Sequence, residues 1–226
     1  MPARFDLAAG DEDSFTCSPP HEKLPQGEVT ITVGGFAYQY DARCFFQAHH
    51  SLTARLVEEA MGDEVLGTDA DDVDSGNPAA QGRHAFDLYA GVGLFALPLS
   101  RRYQKVTAVD GDRVAIRFAK RNARLNDRAH QVKTLAQAVE SWIYELPEDA
   151  DRVLVDPPRA GLSARVRGLI STRRPKRVTY VSCEPATLAR DLKYLLRTFH
   201  LDSLTLLDMF PQTGHMESVA QLRLKD

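Results

Sequence analysis

Cys183 is the thiol best placed to do chemistry. It stands in VTYVSCEPATLARDL (178–192), directly after a strand-like run and just before a helical one. Pro185 suits the first helical position, and the amides and dipole of a helix N-terminus favour a thiolate. The plain alternative is a buried, inert cysteine. A second segment, RVLVDPPRAGL (152–162), puts Asp156 at the end of a strand, followed by two prolines and Arg159. The prolines hold the chain stiff and extended. Arg159 can pair with a phosphate or orient a carboxylate, or lie solvated on a rigid loop. A third segment, FPQTGHMES (210–218), supplies Glu217 at the start of the last strand, with His215 two residues earlier. A lone glutamate there is ordinarily a surface carboxylate, but a reactive thiol needs a base nearby.

FDLYAGVGLFALPLS (86–100) reads as strand, glycine turn and helix. Gly91 and Gly93 allow a tight turn and close approach of a ligand. About 20 residues further on a second strand ends at Asp110, whose carboxylate can accept bonds from both hydroxyls of a ribose. Ala96 occupies the place of the third glycine that phosphate-cradling dinucleotide sites favour. A nucleotide-like ligand without pyrophosphate, such as S-adenosylmethionine, tolerates that. Taken alone, the turn is equally compatible with a βαβ unit that binds nothing.

These residues need a scaffold, and the chain from 84 onward offers one. Strand-like runs at HAFDLYA, KVTAVD, QVKTLA, RVLVD and RVTYVS alternate with helical stretches such as 113–126 and 185–199. Alternation of that kind predicts an α/β fold with a parallel sheet covered on both faces. LDSLTLLDMF and MESVAQLRL predict a closing hairpin. Before residue 84, residues 1–27 read as an irregular lead-in. EVTITVGGFAYQYD (28–41) reads as a hairpin turning at Gly34-Gly35, residues 45–61 as a helix, and residues 62–83 as an acidic loop. The expected organisation is therefore a lead-in (1–27), a hairpin–helix–loop unit (28–83) and a catalytic core (84–226).

Composition narrows the class. With 43% hydrophobic and 26% charged residues the chain is a globular protein. No apolar run approaches the roughly 18 to 20 residues of a membrane span, and the start lacks the apolar core of a secretory signal. A cytoplasmic protein is expected. Three cysteines, Cys17, Cys44 and Cys183, with no Cys-x-x-Cys pair, argue against a disulfide framework or a metal centre. The net charge of −3 hides an asymmetry: residues 1–80 hold 4 Lys and Arg against 15 Asp and Glu, whereas the rest hold 24 against 16. Only the second part attracts phosphates, although an acidic tail plus solvated helix faces would give the same numbers.

Together FFQ (45–47), DLYAGVG (87–93), Asp110 with NARLN (122–126), DPPRAGL (156–162), VSCEPATLARDL (181–192) and DMFPQTGHMES (208–218) resemble the RNA uracil-5-methyltransferase family. They occur in family order over roughly residues 28–226. The resemblance implies a class I, Rossmann-like methyltransferase fold with a mostly parallel seven-stranded sheet. It implies S-adenosyl-L-methionine as cofactor, a tRNA or rRNA as partner, and no metal. It casts Cys183 as the nucleophile that adds to uracil carbon 6, and Glu217 as the base that removes the carbon 5 proton. Gln47, Tyr89, Gly91, Gly93, Asp110 and Asp156 match cofactor or active-site positions. Family members usually carry RNA-binding structure, often an oligonucleotide-binding β-barrel, ahead of the catalytic domain. Fewer than 30 residues precede the hairpin here, so the expectation is a catalytic domain without that part: a naturally reduced enzyme, a fragment, or a domain served by a separate RNA-binding partner.

Three positions depart from the family pattern. Glu184 follows the nucleophile where Asn is usual, His49 stands where Asn is common, and Gln137 falls where an acidic residue often lies near the adenine. A carboxylate beside Cys183 opposes thiolate formation, which predicts weak activity or an RNA-binding relative without turnover. A methyltransferase of another substrate class would make Cys183 dispensable.

Overall fold

The computed structural model describes residues 6–62, 82–148, 150–213 and 216–226. Most of the expected acidic loop, and His215, lie outside the described residues. A strand pair, β1 (Asp6–Ala9) and β2 (Phe15–Ser18), is followed by a hairpin, β3 (Val29–Val33) and β4 (Phe36–Tyr40), and by α1 (His50–Met61). The core then runs β5 (Gly82–Leu88), α2 (Ala96–Leu99), β6 (Tyr103–Asp110), α3 (Arg113–Leu125), β7 (Val132–Ala136), α4 (Val139–Trp142) and a 3-10 turn (Ile143–Glu145). It continues through β8 (Arg152–Val155), α5 (Ala164–Arg173), β9 (Arg177–Ser182), α6 (Pro185–Leu195), β10 (Phe199–Leu207) and β11 (Glu217–Leu224).

Seven strands form one sheet in the order β10-β11-β9-β8-β5-β6-β7. β9, β8, β5, β6 and β7 are parallel, and β11 runs antiparallel between β9 and β10. This is the parallel sheet with a closing hairpin that the alternation predicts. Central strands show why: β8 is buried at every position and β5 at its last four, as strands covered on both faces must be. One face packs Ile31, Tyr38, Leu56, Met61 and Phe118 from the hairpin, α1 and α3. The other packs Trp142, Val166, Ile170, Leu188 and Leu195 from α4, α5 and α6.

Local signals set the helix starts. The Asp112 carboxylate accepts from the Val114 and Ala115 amides at 2.7 and 3.2 Å, and the Ser163 hydroxyl accepts from the Val166 amide. These side chains satisfy amides that a helix leaves open.

Two expectations need correction. The segment read as an irregular lead-in contains the β1–β2 pair, with Leu7 opposite Cys17. Contacts remote in sequence order it: the Tyr40 hydroxyl donates to Ala9 O, and the Asp11 amide donates to Thr30 O at 2.7 Å. The helix expected over 45–61 begins only at His50. Phe46 stacks on Tyr40 with ring centroids 4.6 Å apart, and Gln47 is buried. Both are drawn inward, off the helical track.

Candidate active site

The singled-out residues gather at one edge of the sheet, beyond the carboxyl ends of the parallel strands, where open α/β sheets hold ligands. β5 delivers Tyr89, Gly91 and Gly93, β6 delivers Asp110, β8 delivers Asp156 and β9 delivers Cys183. β11 runs the other way, so its first residue, Glu217, reaches the same edge.

Tyr89, Gly91 and Gly93 all have positive φ, at 65°, 52° and 92°. The first is unusual for a side chain with a Cβ. It turns the tyrosine so that its hydroxyl donates to Glu140 Oε1 at 2.9 Å. A Cβ on Gly91 would meet nothing within 4 Å, so the turn borders open space. The Gly91 amide donates to Asp110 Oδ2 at 2.8 Å and the Asp112 amide to Oδ1 at 2.8 Å. Both carboxylate oxygens are thereby aimed, and each keeps a lone pair for a further donor. The helix expected directly after the turn is only four residues long, because residues 91–95 spend a further turn before α2.

Two groups look for partners. Gln47 is 4% exposed and its Oε1 is buried without a hydrogen bond. Asp87 is wholly buried in β5, and its carboxylate oxygens lack a well-aligned hydrogen bond, the Ala96 amide offsetting burial only in part. Burial, then the nearby Asp110 charge, push the Asp87 pKa well above the carboxylate range. Buried orphans cost free energy unless something satisfies them. A ligand with hydroxyl and ammonium donors, which S-adenosylmethionine has, fits the spare lone pairs of Asp110 and the unpartnered Gln47 Oε1.

The reaction edge is also acidic. Glu217 is 2% exposed, and burial pushes its pKa up to about 7. Asp156 is raised well above the usual range by burial and by the Glu217, Asp87 and Asp110 charges. The register pairs Ser218 with Ser182, which brings Glu217 across from Cys183. The Cys183 thiol is half-buried, and its pKa is raised by burial and by Glu217 and Asp156, against a lowering from Arg159. The helix N-terminus was expected to lower it, but burial and two carboxylates outweigh the dipole. Among the carboxylates, Glu217 and Asp156 act most strongly on the thiol. The Glu184 carboxylate turns to accept from the Ala186 amide at 3.3 Å and caps α6.

Sequence reasoning missed the brace behind this edge. Asp191, fully buried, accepts from the Leu162 amide and the Tyr180 hydroxyl, each at 2.8 Å, and pairs with Arg167 at 2.5 Å and Arg190 at 2.9 Å. Arg190 also donates to Ala160 O at 2.9 Å. The network ties the loop after Asp156 to the helix after Cys183. Burial works to raise the Asp191 pKa, but the bonds it accepts bring it down. Gly161 fits beneath: its φ is 73°, and a Cβ there would lie 2.6 Å from Asp191 Oδ2. The signal was present as charged residues in ARDL, at a spacing with no evident chemical use. Asp87 had a signal too, a carboxylate inside an apolar strand.

Among the described residues, no group of three or more His, Cys, Asp or Glu is placed to hold a metal. No helix among them is long and apolar enough to cross a membrane.

Comparison with known proteins gives a consistent family. The sequence profile of the tRNA (uracil-5-)-methyltransferases matches residues 26–225. An RNA methyltransferase of Thermotoga maritima is 32% identical over 213 residues, 93% of this chain and 45% of its own length. The 23S rRNA (uracil(1939)-C(5))-methyltransferase of Pectobacterium carotovorum is 35% identical, over 94% of this chain and 43% of its own. The chain thus spans less than half the length of these curated relatives. Among solved structures, Pyrococcus abyssi tRNA (uracil-54, C5)-methyltransferase in complex with S-adenosyl-L-homocysteine superposes with a TM-score of 0.74. That match is 24% identical and covers 96% of this chain and 58% of the other. The fold is shared with it.

Proposed function

This chain belongs to the tRNA (uracil-5-)-methyltransferase family, and from that premise we propose that it methylates carbon 5 of a uracil in tRNA or rRNA. S-adenosylmethionine is the methyl donor on this reading, and its bound sulfonium supplies an electrophilic methyl group. Asp110 takes the ribose hydroxyls, the Gly91 turn gives the cofactor room, and Gln47, Tyr89, Asp87 and Asp156 line the rest of the site. Residues 84–226 carry the chemistry, and the preceding hairpin and helix cover one face of the sheet.

Cys183 adds to uracil carbon 6, which makes carbon 5 nucleophilic toward the methyl group. Glu217 then accepts the proton from carbon 5, carbon 5 and carbon 6 regain their double bond, and the thiolate leaves. Covalent activation of this kind replaces one hard step by easier ones. The observation that carries the reading is Glu217: a buried carboxylate with a pKa near 7, opposite the thiol. A general base works best when its pKa lies near the working pH. The target base must leave its stack to reach this edge. Arg159, whose positive charge already favours the thiolate, faces the phosphates that accompany it.

The test is incubation of the chain, and of Cys183→Ala, with methyl-labelled S-adenosylmethionine and RNA lacking 5-methyluridine. Label in 5-methyluridine with wild type alone supports the reading. Label retained by Cys183→Ala, or found in another nucleoside, overturns it. Cofactor binding without label, with the RNA bound, identifies a non-catalytic relative.

A further inference from the structure

Helix α3 carries a run of positive charge that the chemistry above does not use. Its 13 residues, RVAIRFAKRNARL, include five basic and no acidic side chains. Ala115, Ile116, Phe118, Ala119, Asn122 and Ala123 form the buried face. Arg113, Arg117, Lys120 and Arg124 lie exposed on the other, close to one per turn. Among the described residues Arg121 pairs with the Glu28 carboxylate at 2.5 Å, and Arg117 is near enough to Asp41 to lower its pKa. Like charges three and four residues apart oppose helix formation. Glu28 and Asp41 offset part of that repulsion, and an anionic chain along the stripe would relieve the rest.

Two further features make the stripe more than a solvated face. A cleft of about 360 Å³ runs along it, lined by Arg117, Phe118, Lys120, Arg121 and Arg124. The helix is also held rigidly. The Asn122 amide donates to Gln39 O at 3.1 Å and to Val92 O at 3.0 Å, and accepts from the Gln39 amide at 2.8 Å. Val92 lies in the glycine turn, so the stripe and the turn share one support. Arg113, at the head of the stripe, follows Asp110 by three residues and so starts from the edge where the site lies.

We propose that the exposed face of α3, from Arg113 through Arg117 and Lys120 to Arg124, is a docking track for the phosphodiester backbone of the RNA substrate. The inference rests on the reading of the chain as an RNA methyltransferase. The track reads no sequence, because phosphate contacts position a nucleic acid without specifying its bases. It holds RNA flanking the target uridine while that base is out of its stack. The track lies over β6 and β7, three and four strands from β9 and its Cys183. At about 4.8 Å per strand, the track is offset sideways from the nucleophile by roughly 14 to 19 Å.

The test uses the full chain and a fluorescein-labelled RNA stem–loop with uridines in its loop. Binding is followed by anisotropy from about 50 to 200 mM salt. The track variant is R117Q/K120Q/R124Q. A matched control, R165Q/K193Q/R197Q, removes three exposed cations from helices and a loop on the opposite face of the sheet. Calorimetry with S-adenosylmethionine checks that both variants keep the cofactor site. The track variant should bind RNA at least about tenfold more weakly, with a salt slope shallower by about 2, from ~0.7 per lost phosphate contact. The control should bind within about twofold of wild type, far less than the salt-dependent losses typical of phosphate contacts. Unchanged affinity in the track variant overturns the track and leaves the enzyme reading standing. Equal losses in both variants also overturn it, because binding then follows total charge. Wild-type protein with no affinity for the RNA overturns the track and counts against the RNA reading itself.

Discussion

Glu217 and Cys183 face each other across the β9–β11 ladder, one at the start of its strand and the other just past the end of the neighbouring one. The carboxylate makes the thiol harder to ionise. The carboxylate charge adds to burial in raising the thiol pKa, and burial alone lifts Glu217 to about 7.

Glu217 should therefore make stability depend on pH. Its folded pKa of about 7 exceeds the ordinary 4.5, so the folded state favours the protonated form. The favourable share is fully present below about 4.5 and is lost as pH rises through about 7. Glu217→Gln removes that dependence. Relative to wild type, the variant should gain stability between pH 5 and 8, by on the order of 3 kcal/mol at most. Urea unfolding at the two pH values reads the difference. A constant gap between the two proteins would contradict the burial argument.

Alkylation of Cys183 separates the two neighbouring carboxylates. In Glu217→Gln the pH midpoint for iodoacetamide labelling should fall, because a charge that opposes the thiolate is gone. In Glu184→Asn it should move less, since the Glu184 carboxylate is turned to the Ala186 amide. Asn also caps a helix well, so the second variant should unfold within about 0.5 kcal/mol of wild type. Cys17 and Cys44 are buried, and peptide mapping of the labelled protein assigns the signal.

Asp191 is expected to be the costliest side chain to lose at this edge. Asp191→Ala strands Arg167 beside the Leu162 amide and should cost about 3 to 5 kcal/mol in urea unfolding. Gly161→Ala strikes the same brace from the other side, since its Cβ would lie 2.6 Å from Asp191 Oδ2. Its loss should exceed the ~1 kcal/mol of backbone strain alone. Combining the two should cost less than the sum, because both break one network.

Arg152 acts far from the reaction edge. It is 1% exposed and donates to Ala60 O at 2.7 Å and Met61 O at 2.9 Å, the last carbonyls of α1. Thr179 and Gln221 accept its remaining bonds. Arg152→Met removes one of two donors from each carbonyl, since Arg102 still donates to Met61 O and Gln221 to Ala60 O, and should cost about 1 to 3 kcal/mol. Differential scanning calorimetry checks this, and cofactor affinity should hold.

The sheet and its closing hairpin were legible because alternating strand and helix patterns are local and repeated. The reaction edge was legible because Cys183, Asp156 and Asp110 each directly end or follow a strand. The lead-in strands were not, because they are ordered by Tyr40 and Thr30, more than a dozen residues away. The thiol's pKa was misread for a related reason. A helix N-terminus shows in the sequence around Pro185, whereas the opposing Glu217 arrives from a strand 34 positions later. The Asp191 brace joins two motifs that read as separate, and only the fold shows that one supports the other.

Among the described residues, the β3–β4 hairpin has no third strand beside it. The outward backbone groups of β4 are met by two side-chain amides on α3. Asn126 accepts from the Ala37 amide and donates to its carbonyl, and Asn122 does the same for Gln39. Four residues along a helix rise about 6 Å, close to the ~6.8 Å between alternate residues of a strand. The two asparagines thus counterfeit a neighbouring strand in side-chain atoms. An open ladder is a template on which further chains can grow; this one is already occupied, so the helix that holds the hairpin in place also keeps it from seeding aggregates.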